Sequence, residues 1–197
     1  MKLSISIMAH PSREKFIPYL KEKLGEVPVS MDIESKGLIW NCLNAWKMFD
    51  PTADLHVVIQ DDAIVCNNFK EKAEKIIEQY VNEYPTVMTC FNFYYGTRVA
   101  FRQEATEGLK AGYIIKDRPC WGVAICLPTK LIPEFIKYYE HLHDRQDDTR
   151  ISRFLKSRNI PVYFPMPSLI DHRAELESLV GNAFSPGRKA YKFIENI

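Results

Sequence analysis

The tightest constraint on this chain is a strand that runs into two acids. Val57-Val58-Ile59 is continuous, apolar and β-branched, and it passes directly into Gln60-Asp61-Asp62-Ala63. Such a run predicts a strand covered on both faces, as in sheets flanked by helices. Its polar end places adjacent carboxylates at a strand C-terminus, where the ligands of open α/β sheets bind. Neighbouring carboxylates repel one another, so a divalent cation, a helix N-terminus or a hydrogen-bond donor must support them, and oxygen ligands of this kind suit Mg²⁺ or Mn²⁺. A pair of aspartates capping the following turn accounts for the same residues with no ligand at all.

The rest of the chain supplies the elements such a sheet needs. Residues 3–8 read as a strand that stops at His10-Pro11, after which Ser12 is expected to cap a helix carrying Phe16, Leu20 and Leu24 on one face. Residues 27–33 predict a second strand, 37–48 a helix with Leu38, Ile39, Leu43 and Trp46 inward, and 55–60 a third strand. Residues 69–84 are amphipathic, with Phe69, Ala73, Ile76, Ile77 and Tyr80 facing in and a charged, solvated face outward. A strand is expected over 86–94. Residues 95–118 mix Gly96, Gly108 and Gly112 with basic residues without a clean period and read as a loop or lid. Then come a strand over 121–127, a helix over 128–141 opened by proline, a helix over 147–158 with acids in its first turn, a short strand over 161–164 and an irregular tail after Pro165. This alternation predicts an α/β fold, a mostly parallel central sheet flanked by helices, in a single domain spanning residues 1–197.

Composition excludes several classes. With 46% apolar residues, and 26 Lys plus Arg against 25 Asp plus Glu, the chain is neither disordered nor drawn as a whole to nucleic acid or anionic lipid. Cys42, Cys66, Cys90, Cys120 and Cys126 contain no C-x-x-C pair, and they read as small core residues in a reducing compartment. The N-terminus reaches His10-Pro11 too soon for a signal peptide, and no apolar run is long enough for a membrane span, so a cytoplasmic location is expected.

A second motif is Pro165-Met166-Pro167-Ser168-Leu169-Ile170-Asp171-His172, followed by Ser178-Leu179-Val180-Gly181-Asn182. Taken in order with Asp61-Asp62 and Trp121-Gly122-Val123-Ala124, it resembles the skeleton of GT-A glycosyltransferases, particularly the lipooligosaccharide-type family 25. The resemblance covers most of the chain. It implies a GT-A-like domain acting as a metal-dependent, inverting glycosyltransferase. The donor would be a nucleoside-diphosphate sugar, with a UDP-sugar favoured, and the acceptor a hydroxyl of a glycan or, equally open, of a modified DNA base. Asp62 would be the last carboxylate of an Asp-x-Asp motif and a ligand of Mn²⁺ or Mg²⁺, Asp61 would contact ribose or support the metal indirectly, and His172 would complete the coordination. Gln60 departs from the pattern, standing where the motif has its first acid and removing a negative charge. Read alone, His172 beside Asp171 is a structural hydrogen-bonding residue.

In Asp147-Asp148-Thr149-Arg150-Ile151, the resemblance makes Asp148 the general base with Asp147 as its substitute, whereas the bare residues need only complement a helix dipole. His10-Pro11-Ser12-Arg13 would approach the nucleotide, with Arg13 pairing with phosphate beside the free N–H groups of a helix start. Asp32, and more weakly Lys36, would contact base or ribose, or simply form a turn. Trp121-Gly122 would line the acceptor side, or else fill the core at a bulge. Arg98, Arg102, Lys110, Lys116 and Arg118 are either solvated or bind an anionic acceptor. Two rival functions stay open. One is a nucleotidyltransferase, although its glycine-rich phosphate loop is missing between His10 and Lys15; the other is a non-catalytic sugar-nucleotide or glycan-binding protein, which Gln60 favours.

Overall fold

The computed structural model describes residues 1–97, 101–119, 121–179 and 187–196. Along the chain lie β1 (Leu3–Ala9), a 3-10 turn (Pro11–Phe16), α1 (Ile17–Leu24), β2 (Val29–Met31), α2 (Leu38–Lys47), β3 (Leu55–Gln60), β4 (Ala63–Val65), α3 (Phe69–Glu83) and β5 (Cys90–Asn92). These are followed by α4 (Arg102–Ala111), β6 (Tyr113–Lys116), β7 (Ala124–Pro128), α5 (Ile132–Glu140), α6 (Asp147–Ser157), β8 (Val162–Pro165) and β9 (Ile170–His172). Seven strands form one sheet in the order β2-β1-β3-β7-β5-β8-β6, and β4 pairs with β9 in a separate two-stranded ribbon. β1 lies parallel to both β2 and β3, and β5 is parallel to β8, whereas β7 and β6 run against their neighbours. The fold is thus mixed α/β, with most strands of the central sheet sharing one direction.

Strand alternation explains the unbroken apolar run of β3. Val57 and Ile59 face a core shared with Ile5, Ile7, Phe69 and Phe93, while Val58 faces the opposite core with Trp46, Ile125, Phe135 and Phe154. Because helices cover both faces, both sets of side chains must be apolar. Burial of one such side chain contributes roughly 1.5–3 kcal/mol, so this strand is held firmly and its polar end is fixed with it. The antiparallel neighbour β7 pairs Ala124 with Ile59, which brings Trp121 and Gly122 beside the end of β3, and the Gln60 N–H donates to the Val123 carbonyl at 2.9 Å.

Several sequence expectations require correction. The first helix is capped by His10, whose ring accepts from the Ser12 N–H, and it opens as a 3-10 turn rather than at a Ser12 cap. The segment expected as a loop or lid contains α4 and the edge strand β6. Gly108 sits inside α4 because a Cβ there would overlap Ile114, and Gly112 ends the helix at φ 84°. β4 and β9 were not expected at all. Cys42, Cys66, Cys90 and Cys126 are buried core residues, while Arg98, Cys120, Val180, Gly181 and Asn182 lie outside the described residues. No helix among the described residues is long and apolar enough to cross a membrane.

Candidate functional site

Because β1 and β3 are parallel neighbours with Met8 opposite Gln60, the chain leaves both strands at the same edge. His10 follows one strand and Asp61-Asp62 the other. The His10 backbone N–H donates to Asp61 Oδ2 at 2.7 Å. Arg13, in the 3-10 turn, donates from one terminal nitrogen to Asp61 Oδ1 at 3.0 Å and to Asp62 Oδ2 at 2.6 Å, and from the other to the Glu177 carbonyl at 2.6 Å. All three side chains are buried. Burial and the neighbouring Asp62 charge push the Asp61 carboxyl above its ordinary range. Burial pushes Asp62 the same way, but the hydrogen bond and charge of His172, then Arg13 and Arg188, outweigh it and hold Asp62 below that range.

The ribbon of β4 and β9 explains how a histidine 110 residues away reaches this pair. Ala63 pairs with His172, so His172 is fixed beside the residue that precedes Ala63, and its Nε2 lies 3.1 Å from Asp62 Oδ2. Arg188 approaches the same ring nitrogen at 2.8 Å. Asp62 Oδ1, His172 Nδ1, Arg188 Nε and the Tyr94 hydroxyl are buried and have no hydrogen-bond partner among the described residues. An unpaired buried polar atom costs about 1–3 kcal/mol. Four in one cluster mark a place where the protein forgoes stability, as binding sites do.

The resemblance implies a divalent ion at Asp62 and His172. Two ligands at right angles on a small octahedral ion stand about 3 Å apart, and the Asp62 Oδ2 to His172 Nε2 distance is 3.1 Å. Asp62 Oδ1 adds an unused acceptor. No group of three or more His, Cys, Asp or Glu side chains is placed to hold a metal among the described residues. Asp62 Oδ2 and His172 Nε2 each already face a guanidinium, Arg13 at 2.6 Å from the first and Arg188 at 2.8 Å from the second, so Asp62 Oδ1 is the carboxylate oxygen left open to a cation among the described residues.

The facing wall comes from α6 and the approach to β7. Asp147 and Asp148 open α6, and both line the same cavity of about 550 Å³ as His10, Arg13, Asp32, Gln60, Asp61, Asp62, Trp121, Gly122 and Arg188. Asp147 is buried, and its carboxyl is pushed up to about 6, first by that burial and then by the charge of Asp148. The Gln60 amide donates to Asp147 Oδ2 at 3.4 Å. Trp121 is also buried, set edge-on to Tyr94 and Phe101, so it packs into the wall more than it offers an open stacking face.

The structure brings most of the expected residues to one pocket: His10, Arg13, Asp32, Asp61, Asp62, Trp121, Gly122, Asp147 and Asp148 all line it, and His172 stands behind Asp62. Pro11, Ser12 and Lys36 do not line it. Arg13 is committed to the two carboxylates, and the N–H groups expected at its helix start are already used, Ser12 by the His10 ring and Arg13 by the His10 carbonyl. Asp32 accepts the backbone N–H groups of Lys36 and Gly37, each at 2.7 Å, so it holds the loop that enters α2, while the Lys36 side chain pairs with exposed Glu34. Lys116, expected among the solvated basic residues, bonds Glu104 and lies over the Phe101 ring. Sequence reasoning missed Arg188 and Asn41. Arg188 sits in an irregular tail with no periodic signal, and buried Asn41 hides inside a helix, donating to the Ala9 carbonyl at 2.7 Å.

No family model matches the sequence, and no curated protein is significantly similar to it. Among solved structures, the chain is similar to a CMP:2-keto-3-deoxy-manno-octonic acid synthetase complexed with CTP, with 10% identity and a TM-score of 0.45, covering 83% of this chain and 89% of that one. It is also similar to a structure described as a glucose-1-phosphate thymidylyltransferase from Bacillus anthracis in complex with a sucrose, with 11% identity and a TM-score of 0.46, covering 86% of this chain and 89% of that one.

Proposed function

We propose that the pocket takes a nucleoside-diphosphate sugar and that the protein transfers the sugar to a hydroxyl acceptor. The observation that carries this reading is the pairing, across one cavity, of a buried Asp147 titrating at about 6 with a carboxylate, histidine and arginine cluster at the end of β3. Among the described residues the cavity is lined by five aspartates and two arginines, which leaves three negative charges in excess when all are ionised. An anionic diphosphate would meet repulsion there unless it arrived with a cation. Asp62 would hold that ion through its open Oδ1, joined by His172 once Arg188 turns from the ring toward phosphate, and the chemistry the ion supplies when bound is neutralisation of the diphosphate leaving group.

The chain's own groups supply the rest. Arg13 holds Asp61 and Asp62 in place by bridging them, and Arg188 reaches the cavity from the tail, where its guanidinium can meet phosphate. Asp147 is ionised at neutral pH yet basic enough to take a proton from an acceptor hydroxyl, because the best general base has a pKa near the working pH. Asp148 lines the pocket beside it, only partly buried, and burial places Asp147 ahead of it for that role.

A second reading is nucleotidyl transfer to a sugar acid or a sugar phosphate, the chemistry named for the two solved structures, CMP joined to 2-keto-3-deoxy-manno-octonic acid in one and a thymidylyl group to glucose 1-phosphate in the other. It would use the same strand-end acids and an ion. Product analysis separates the two. Protein given UDP- or GDP-sugars, Mn²⁺ and saccharide acceptors should release nucleoside diphosphate; protein given nucleoside triphosphates and a sugar 1-phosphate should form no pyrophosphate. Pyrophosphate formation in the second mixture would install nucleotidyl transfer, and donor binding without either product would leave a sugar-nucleotide binding protein.

A further inference from the structure

Gln60 occupies the place of the first acid in the Asp-x-Asp pattern, and the structure gives that substitution a use. The residue ends β3, with its backbone N–H held by the Val123 carbonyl at 2.9 Å and its Cα paired with Met8 across β1. Its side chain therefore starts from a fixed point. Its amide nitrogen lies 3.4 Å from Asp147 Oδ2, across the cavity wall from the helix that carries Asp147.

Gly122 keeps that contact open. A Cβ on Gly122 would lie 3.0 Å from Asp147 Oδ2 and 3.1 Å from the Gln60 amide nitrogen, wedging between donor and acceptor. Two residues from different segments thus converge on one carboxylate oxygen, one by donating to it and one by lacking a side chain. The groups that face Asp147 electrostatically are Asp148 from its own helix, Cys42 from α2 and Tyr139 from α5, with Arg150 of α6 facing Cys42 and Tyr139 in turn. Arg150 spends its guanidinium on the Tyr139 and Asp144 carbonyls, so among the described residues the Gln60 amide is the side-chain donor to Asp147, added to the backbone N–H groups of Asp147 and Asp148.

We propose that Gln60 is a positioning residue that keeps Asp147 ionised and aimed into the cavity, and that Gly122 is the small residue this arrangement requires. The proposal rests on the reading of Asp147 as proton acceptor. An acid at position 60 would set a third carboxylate against Asp147 and Asp148 and drive Asp147 toward its neutral form, in which it cannot accept a proton.

The test is a carboxyl NMR titration of Asp147 in the free protein, run beside the pH dependence of transfer, for the natural protein, Gln60→Glu, Gln60→Leu and Gly122→Ala. Gln60→Glu is nearly isosteric, so packing is retained and the charge effect is isolated. We expect its Asp147 midpoint to rise by about one pH unit or more, with transfer about fivefold or more lower near pH 6 and largely recovered near pH 8. Gln60→Leu and Gly122→Ala should shift the midpoint in the same direction by less. An unmoved Asp147 titration in Gln60→Glu overturns the proposal, whatever the activity. The base assignment fails by a different observation, full transfer by Asp147→Asn, so the two failures are told apart.

Discussion

β3 buries a polar side chain near each end and treats the two oppositely. Near its start, His56 is fully buried, with Ser4 Oγ at 2.7 Å from one ring nitrogen and Ser6 Oγ at 3.0 Å from the other, and Trp46 edge-on against it. Beyond its end, Asp62 and its buried partner His172 retain an unpaired carboxylate oxygen and an unpaired ring nitrogen among the described residues. Both histidines are almost wholly enclosed, so burial does not distinguish them. Hydrogen-bond completion at the ring does: both nitrogens of His56 are partnered, although the Trp46 Nε1 beside it is not, whereas Asp62, which lines the cavity, keeps an open carboxylate oxygen that a ligand can complete.

The largest expected effect separates the two histidines. His56→Ala should cost about 3–5 kcal/mol of stability, from the cavity and from the lost bonds to Ser4 and Ser6, while donor affinity stays unchanged. His172→Ala should lose at least about tenfold in cation-dependent donor affinity at much smaller cost in denaturant midpoint. Denaturation and calorimetry on both variants break the comparison if the losses are exchanged.

Next in size is the transfer rate. Asp147→Asn should lose on the order of 10² to 10⁴ in rate with donor binding preserved, and transfer by the natural protein should fall as pH drops through about 6. Asp147→Asn should also be more stable than the natural protein at pH 7, since it removes a buried, repelled charge. A helix-dipole role for Asp147 predicts instead a loss of stability with turnover intact.

The same groups oppose one another in pH dependence. Burial lowers His56 to about 4, so the unfolded chain binds the extra proton between pH 4 and 6.5, and stability is lost as pH falls through that window. Asp147 is raised to about 6 from an ordinary 3.8, so the folded state binds the extra proton, and stability is lost as pH rises through roughly 4 to 6. Each slope is about 1.4 kcal/mol per pH unit, and the two cancel where the windows overlap. Relative to the natural protein, Asp147→Asn should therefore gain a positive slope of stability against pH between 4 and 6, and His56→Ala a negative one. Denaturant titrations at pH 4.5 and 5.5 read both.

How much of this was legible in the sequence follows from how local each feature is. β3, α3 and α6 emerge from their own periodicity and come within a residue or two of their observed bounds. Asp61 and Asp62 were visible because they follow an apolar strand directly. β4 and β9 were not, since each is three residues long and exists only by pairing across the chain. α4 was masked by Gly108, a glycine present for close packing on Ile114 rather than for a turn. His172 stood out only through the motif around it. In that motif Ser168 and Asp171 prove to be stitching: the Ser168 hydroxyl accepts from the Tyr95 N–H, and Asp171 accepts the N–H groups of His172 and Ala190. Which of Asp147 and Asp148 is buried could not be read from two adjacent letters, because only the packing of α6 decides it.

The smallest expected effects lie at the loop before α2. Asp32→Ala should cost about 1 kcal/mol, because the Lys36 and Gly37 N–H groups lose their acceptor. Lys36→Ala should change stability by less than about 0.5 kcal/mol, because its exposed pair with Glu34 is screened and its backbone contact survives. A larger loss in Lys36→Ala than in Asp32→Ala would show that the side chain, and not the turn, matters there.

The central claim is that the end of β3 receives a nucleotide sugar together with a divalent cation. Calorimetric titration of UDP- and GDP-sugars into the natural protein and Asp62→Asn, with Mn²⁺ and with chelator, tests it most directly. Binding by the natural protein should need Mn²⁺, and Asp62→Asn should lose about 100-fold or more in affinity at a temperature where it is still folded, with a lower melting temperature because Arg13 loses one of its two buried carboxylate partners. Equal affinity in both proteins, or binding by the natural protein that is indifferent to Mn²⁺, would contradict it.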